Sequence, residues 1–465
     1  MRIKIALPKG PLQESTADLL KEAGIDLGDY REGARSYRLR CEAFPDLFFK
    51  VFHEKDIAIQ VAIGNYDLGI CRLDWVEELL SKYHSDAAVK VRDLGYGKRT
   101  IYAVTARTSA MCSLEAIKNR LDNVRFVSEY PNLAEAFALK QRLKKFQIFP
   151  VWGSAAVYPP EDADLAIMAE TSKDKLNEQG LVAVATILQS GACLVANKDS
   201  LKRKDLSRIL TVVSANRGAS PDVKDGATVD ACPKARAVKK DGSTVTLALP
   251  DGHQQKHVVA FLDKVGLKIE GYNIGKATPI PKSPFNGVAV KVIRPQDMPQ
   301  QVANGNFDLA ITGRDWLRDH LSRFPSSPVE ELLELGFGKV KIVAVVSNDM
   351  PVSSTEDLAK IKWDKPLRVA AEYVNIADKY AQDNRLAPYK IVPTWGATEA
   401  FLPEDADVLI ENTETGSTIA RNNLKIIETL FESTACLIGN TGAVKRPEKK
   451  EGIAKLVEII AGGFE

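Results

Sequence analysis

The sequence predicts an α/β fold of two tandem units, each with two lobes around a cleft. Two observations carry this: words that recur at a nearly constant spacing, and short β-rich runs that alternate with helical patterns. Residues 64–75 read GNYDLGICRLDW and residues 305–316 read GNFDLAITGRDW, an offset of 241. LPKG at 7–10 returns as LPDG at 249–252, and LGYGK at 94–98 returns as LGFGK at 335–339. PEDAD at 160–164 matches 403–407, and Ala192-Cys193-Leu194 matches Ala435-Cys436-Leu437, both at offset 243. Self-similarity sustained from the first strand to the last marks a duplication. Residues 1–214 form the first copy and 243–465 the second. Residues 215–242, rich in Gly, Pro, Asp and Lys without periodicity, form a linker.

Within the first copy the elements follow in order. Ile3–Leu7 is a strand, and Leu12–Ala23 carries apolar residues at helical spacing. Phe48–Phe52 is a strand, 57–63 a helix and Leu68–Cys71 a strand. Residues 74–80 are helical and Thr100–Thr105 extended. The alternation continues with strand Val124–Ser128, a helix from Leu133, strands Phe146–Val151 and Leu165–Met168, a helix, then strands Val182–Ile187 and Ala192–Ala196. Strands separated by helices argue largely parallel sheets, two per copy.

Composition removes several function classes. The chain has 465 residues, 45% apolar and 27% charged, which suits a soluble globular protein. Its 63 Lys+Arg against 61 Asp+Glu leave a net charge of +2, too small for a dedicated polyanion binder. No apolar run approaches the roughly 18–20 residues of a bilayer span. The six cysteines form no CxxC pair, so reduced thiols and a cytoplasmic location are expected. Neither nucleic acid nor membrane is expected as a partner.

The most informative stretch is ADVLIENTETGSTIARNNL at 406–424. An apolar strand ends in Glu411, then Thr413, Glu414, Thr415, Gly416, Ser417 and Thr418 form a small hydroxylated loop that opens a helix. Such a loop lets backbone N–H groups approach an anion, with the helix dipole in support. The same residues also suit a helix N-cap turn without any ligand.

LPKG at 7–10, IRPQDMP at 293–299, GNFDLAITGRDWL at 305–317, LGFGK at 335–339, WGATEAFLPEDADVLIENTETGSTI at 395–419 and STACLIGN at 433–440 occur in this order. Together they resemble the ATP phosphoribosyltransferase family, whose reaction is the first step of histidine biosynthesis. The resemblance implies a periplasmic-binding-protein-like pair of lobes in each copy. It further implies 5-phosphoribosyl 1-diphosphate and ATP as substrates, Mg²⁺ as cofactor and pyrophosphate as leaving group. Mapped onto the family's motif positions, Glu411 and Thr413–Thr418 bind the activated sugar phosphate. Lys9, Arg35 and Arg294 are the catalytic cations, and Gly313, Asp315 and Glu399 contact the nucleotide. No metal ligand is assigned. The family's unit occurs twice here, and its arginine after LPKG is Pro11 in the first copy and His253 in the second. The second copy runs to Glu465, so a histidine-sensing domain is not expected in this sequence.

The copies are degenerate in complementary ways. In the first, Glu411 is replaced by Met168, Gly416 by Lys173, Thr418 by Lys175 and Glu399 by Ala156. In the second, Lys9 is replaced by Asp251, which would repel a departing pyrophosphate. His53 stands opposite Arg294. Trp152 and Trp395 read as lobe-core residues, and Asp74 and Asp315 as helix caps or ligand contacts. One composite site per chain follows from this pattern, within an internal pseudo-dimer that leaves room for a further homo-oligomer or a separate regulatory subunit. Two alternatives stay open: a ligand-binding paralogue that has lost turnover, and a phosphoribosyltransferase for another base.

Overall fold

The computed structural model describes residues 2–462 apart from 34–35, 84–86, 110, 121 and 215–241. Arg35 and all of the 215–242 linker except Gly242 therefore lie outside the described residues.

Each half holds two main sheets with a shared strand order. In the first half the order is Arg38–Leu39, Leu47–His53, Ile3–Lys9, Leu68–Arg72, Ala192–Asn197, Ala88–Asp93. Its second sheet runs Leu181–Ser190, Arg99–Ala106, Leu165–Glu170, Val124–Ser128, Phe146–Pro150. The second half repeats both orders: Val288–Ile293, Val245–Pro250, Leu309–Gly313, Ala435–Asn440, Val329–Glu334, then Leu424–Ser433, Val340–Ser347, Val408–Thr413, Leu367–Ala371, Tyr389–Pro393. Where the first half has the short Arg38–Leu39 edge strand, the second has a hairpin of Glu270–Asn273 and Lys276–Lys282. The chain leaves the first lobe through Leu94–Lys98 and returns through Gly191, so each half is the two-lobed, periplasmic-binding-protein-like α/β unit.

The sheets are mixed rather than largely parallel. Ile3–Lys9 pairs in parallel with both neighbours, but Ala192–Asn197 runs antiparallel to Leu68–Arg72 and Ala88–Asp93. The returning strand enters the first sheet from the hinge end, which fixes its direction. The Ala88–Asp93 edge strand was not expected from sequence: its outward Lys90 and Arg92 break the apolar run. Leu47–His53, by contrast, is buried on both faces until its last residue, as a central strand between helices must be.

The cores do not respect the division into halves. One core joins the first sheet of the first half, through Phe49, Phe52 and Tyr66, to Phe401, Leu402 and Leu409 of the second half. Another joins Val127, Tyr158 and Ala166 of the first half to Ile293, Met298 and Phe307 of the second. The first lobe of each half thus packs on the second lobe of the other. The contacts come in equivalent pairs, as an isologous interface requires. Lys50 Nζ meets Glu404 at 2.7 Å and Asp405 at 2.8 Å, and Lys291 Nζ meets Glu161 at 3.1 Å and Asp162 at 2.8 Å. The Trp152 N–H donates to both oxygens of Asp297 at 3.0 and 2.9 Å, and the Trp395 backbone bonds to Asp56. Trp152 and Trp395 are not lobe-core residues: their rings face each other across this interface, 6.5 Å apart. Tryptophan suits such a half-buried seam, offering a large apolar ring at an edge that still meets water.

Cys41, Cys71, Cys193 and Cys436 are buried free thiols, whereas Cys112 is disulfide-bonded, which corrects the expectation that all six are reduced. Among the described residues no helix is long and apolar enough to cross a membrane.

Candidate active site

The Val408–Thr413 strand delivers Glu411 and Thr413 to the rim of a cleft, and Gly416 turns the chain into the Ser417–Arg421 helix. Gly416 has φ +73°, a conformation that glycine adopts without a Cβ penalty. The loop is preorganised by its own hydroxyls. The Gly416 N–H donates to Thr413 Oγ1 at 2.8 Å, and the Ser417 N–H donates to Thr415 Oγ1 at 3.4 Å. The helix behind it has only five residues. Its dipole is small, so the dipole support expected from the sequence is weak here.

Beside the loop, three carboxylates crowd together. Burial, then Glu399 and Glu372, push the Glu411 carboxyl well above the ordinary range. Glu372 is pushed up to about 7 by burial and Glu399, with Lys9 acting in the opposite direction. Lys9 belongs to the other half, so the second lobe of the second half and the first lobe of the first half share one electrostatic site. Lys9 ends the Ile3–Lys9 strand, and its ammonium lies 3.1 Å from the Tyr37 hydroxyl. In register with it is His53, whose Cδ2 lies 4.0 Å from where a Cβ on Gly396 would stand. Burial and the cations Lys55, Lys9 and Arg294 hold the His53 imidazole down at about 4. Lys9, Lys55 and Arg294 thus bring positive charge close to His53, which is itself neutral at neutral pH.

Arg294 lies elsewhere. Its Nη1 pairs with Asp251 at 3.4 Å, and its Nε fills the space that a Cβ on Gly153 would need. It faces the second lobe of the first half, where Met168 and Ala156 replace Glu411 and Glu399, although its charge still reaches His53 and Lys55. That opposite position keeps a cavity of about 570 Å³, lined in part by Arg99, Glu129, Met168, Ala156 and Asp251. Its loop is closed on itself: the Thr171 N–H bonds Glu170, and the Ser172 hydroxyl caps the helix that begins at Lys173. Lys9 thus reaches Glu372 at the intact position of the second half, while Arg294 is turned toward the degenerate one.

Gly313 and Asp315 sit deeper. A Cβ on Gly313 would collide with the Asp315 carboxylate. Asp315 is buried and accepts from Tyr373 Oη at 2.6 Å and Ser433 Oγ at 2.8 Å. It ties the Arg314–Arg323 helix of one lobe to the other lobe and to the hinge, with both carboxylate oxygens engaged by protein hydroxyls. Glu372 was missed by sequence reasoning. The signal was available, since AEYVN at 371–375 repeats SEYPN at 128–132.

The HisG model, described as ATP phosphoribosyltransferase, matches the chain twice, over residues 53–215 and 294–462. The ATP phosphoribosyltransferase of Chlorobaculum parvum is 30% identical over 232 residues, 49% of this chain and 74% of that protein. That of Geotalea daltonii is 33% identical over 218 residues, 46% of this chain and 70% of that protein. The ATP phosphoribosyl transferase (HisG:HisZ) complex of Thermotoga maritima aligns over 47% of this chain and 98% of that one, at 18% identity and a TM-score of 0.39. With the family's model matched in both halves, the chain belongs to the ATP phosphoribosyltransferases, the phosphoribosyl-transferring enzymes of the first step of histidine biosynthesis.

Proposed function

We propose that the chain transfers phosphoribose from 5-phosphoribosyl 1-diphosphate to N1 of ATP at one composite site. The observation that carries this is that Lys9 of the first half acts on Glu372 of the second, which is itself clustered with Glu399 and Glu411 at the end of the strand that leads into Thr413–Thr418. The loop amides and hydroxyls hold the 5-phosphate, and Glu411 accepts from the ribose hydroxyls. As N1 bonds to C1, the C1–O bond breaks and its electron pair leaves with pyrophosphate. Lys9, in register with His53, stabilises that charge where it develops. Arg35 is assigned the same task. Arg294 acts through the field it adds at His53 and Lys55.

Mg²⁺ suits the chemistry of this corner: Glu372 and Glu411, whose carboxyls burial and neighbouring carboxylates push up, stand with Glu399 as hard oxygen donors of excess negative charge. Glu411 and Glu399 would hold the ion, which would supply neutralisation of the diphosphate. The protein is read as an internal pseudo-dimer in the cytoplasm, with a separate regulatory subunit as a possible partner class.

Pyrophosphate release from ATP and the activated sugar tests the reading. Lys9→Ala should slow turnover by roughly a hundredfold, the equivalent of about 3 kcal/mol of barrier. Calorimetric titration should find one activated-sugar site per chain. Two equivalent sites, or an unaffected Lys9→Ala, would overturn the composite site. Turnover with a different base but not ATP would keep the site and change the acceptor.

A further inference from the structure

At the mouth of the second half's cleft, three metal-ligating side chains from two lobes converge. His253 follows Gly252 at the end of the Val245–Pro250 strand, and His257 lies one helical turn further along, in Gln255–Lys264. Residues four apart share a helix face, which turns both imidazoles the same way, with ring centroids 5.8 Å apart. Glu414 comes from the Thr413–Thr418 loop of the opposite lobe, and its Oε1 lies 3.9 Å from His253 Nε2. One ligand atom from each of the three lies within 4.8 Å of the others.

We propose that His253, His257 and Glu414 bind a borderline divalent transition-metal ion, Zn²⁺ by preference, that bridges the two lobes of the second half. Metal–ligand bonds of about 2.0–2.1 Å place tetrahedral donors about 3.4 Å apart, so roughly 1 Å of side-chain movement completes the set. His253 and Glu414 are exposed and His257 is half-exposed, which leaves them that freedom. Two imidazoles and one carboxylate select against Mg²⁺ and Ca²⁺, which favour oxygen. The set leaves a position open for water or an anion. Lys256, between the two histidines, opposes the ion and lowers its affinity. The first half offers an internal control: Pro11, Ser15 and Thr171 occupy the corresponding positions, so the triad exists in one half only. A bridging ion would draw the Gly252 turn toward the loop and hold the cleft closed.

The test is titration of the untagged full chain with Zn²⁺ alone, against a chromogenic chelator and without either substrate. Its outcome is thus independent of the sugar-phosphate reading. One Zn²⁺ should bind per chain, undisplaced by excess Mg²⁺. His253→Ala, His257→Ala and Glu414→Gln should each weaken binding by about tenfold or more. Co²⁺ should give the visible absorption of a low-coordinate site, lost in the same variants. No stoichiometric binding, or binding that survives both histidine substitutions, overturns the site. Loss in the histidine variants with full affinity in Glu414→Gln overturns the bridge between lobes.

Discussion

At the scale of single residues, the composite site is a meeting of opposite errors. Glu372, Glu399 and Glu411 are too many carboxylates for a buried corner, and the cations around His53 are too many for an empty one. Each set is unfavourable alone, and in the proposed reaction a sugar diphosphate and a hard cation between them would relieve both. The Glu372 shift makes this measurable. Its carboxyl titrates near 7 when folded, against about 4.3 unfolded, so the folded state holds the extra proton between those values. Stability contributed by that proton is fully present below about pH 4 and is lost as pH rises through 7. Glu372→Gln should therefore leave the thermal midpoint near pH 4 almost unchanged and raise stability at pH 8 by on the order of 1–3 kcal/mol in ligand-free protein. A variant equally affected at both pH values would place the strain elsewhere. The residue types of this site were legible in the sequence at Glu399, Glu411 and Lys9, because each sits in a word that the duplication repeats or breaks. The direction of Arg294 was not. An arginine at the start of the Pro295–Asp297 turn can reach either half, and only the packing at Gly153 settles which.

Among the elements, the loop and the short helix behind it frame the proposed anion site. The strand-loop-helix order was readable from the run of apolar residues ending at Glu411 and the small residues after it. The helix length was not: nothing in Ile419–Arg421 announces that Asn422 and Asn423 end the helix, Asn423 at positive φ. With so short a helix, recognition depends on the loop shape that Gly416 permits. A Cβ there meets only Ile426 Cδ1 at 4.0 Å, so Gly416→Ala is not a steric clash but a conformational penalty of roughly 1 kcal/mol. Gly416→Val adds β-branching to the same strain and should weaken binding of the activated sugar more than Gly416→Ala does. Thr418→Ala, which removes one hydroxyl, should cost on the order of 1–3 kcal/mol of that binding. Sugar affinity unchanged in all three would remove the loop from the site. The edge strand Ala88–Asp93 and the hairpin Glu270–Lys282 show the opposite limit of sequence reading, since only a residue or two of each, such as Ala88 and Tyr272, reaches the core and no apolar run announces the strand.

For the whole molecule, the tandem repeat was plain in the sequence, but its consequence for folding was not. Offsets between words say that two units exist; they do not say that the first lobe of one packs on the second lobe of the other. Buried seams such as Phe52 on Phe401 and Tyr158 on Phe307 draw apolar residues from both halves. Lys50 has no exposed side-chain surface and is paired with Glu404 and Asp405 of the other half. Removing one partner of a buried pair leaves an uncompensated charge and costs about 3–5 kcal/mol, so Lys50→Ala should destabilise the entire chain, not one lobe. The larger consequence concerns separation. Residues 243–465 expressed alone would expose Phe401, Leu402 and Leu409 to water and leave Glu404 and Asp405 without Lys50. They would also lack Lys9. This segment should be poorly folded and inactive by itself. Co-expression with residues 1–214 should restore both the buried seams and turnover, because Lys9, Glu372, Glu399 and Glu411 all lie within the two segments. Gel filtration should then recover a one-to-one pair with pyrophosphate-releasing activity. A soluble, fully active 243–465 segment would mean that the first half contributes neither core nor cation, and the fused-core account would fall with the shared site.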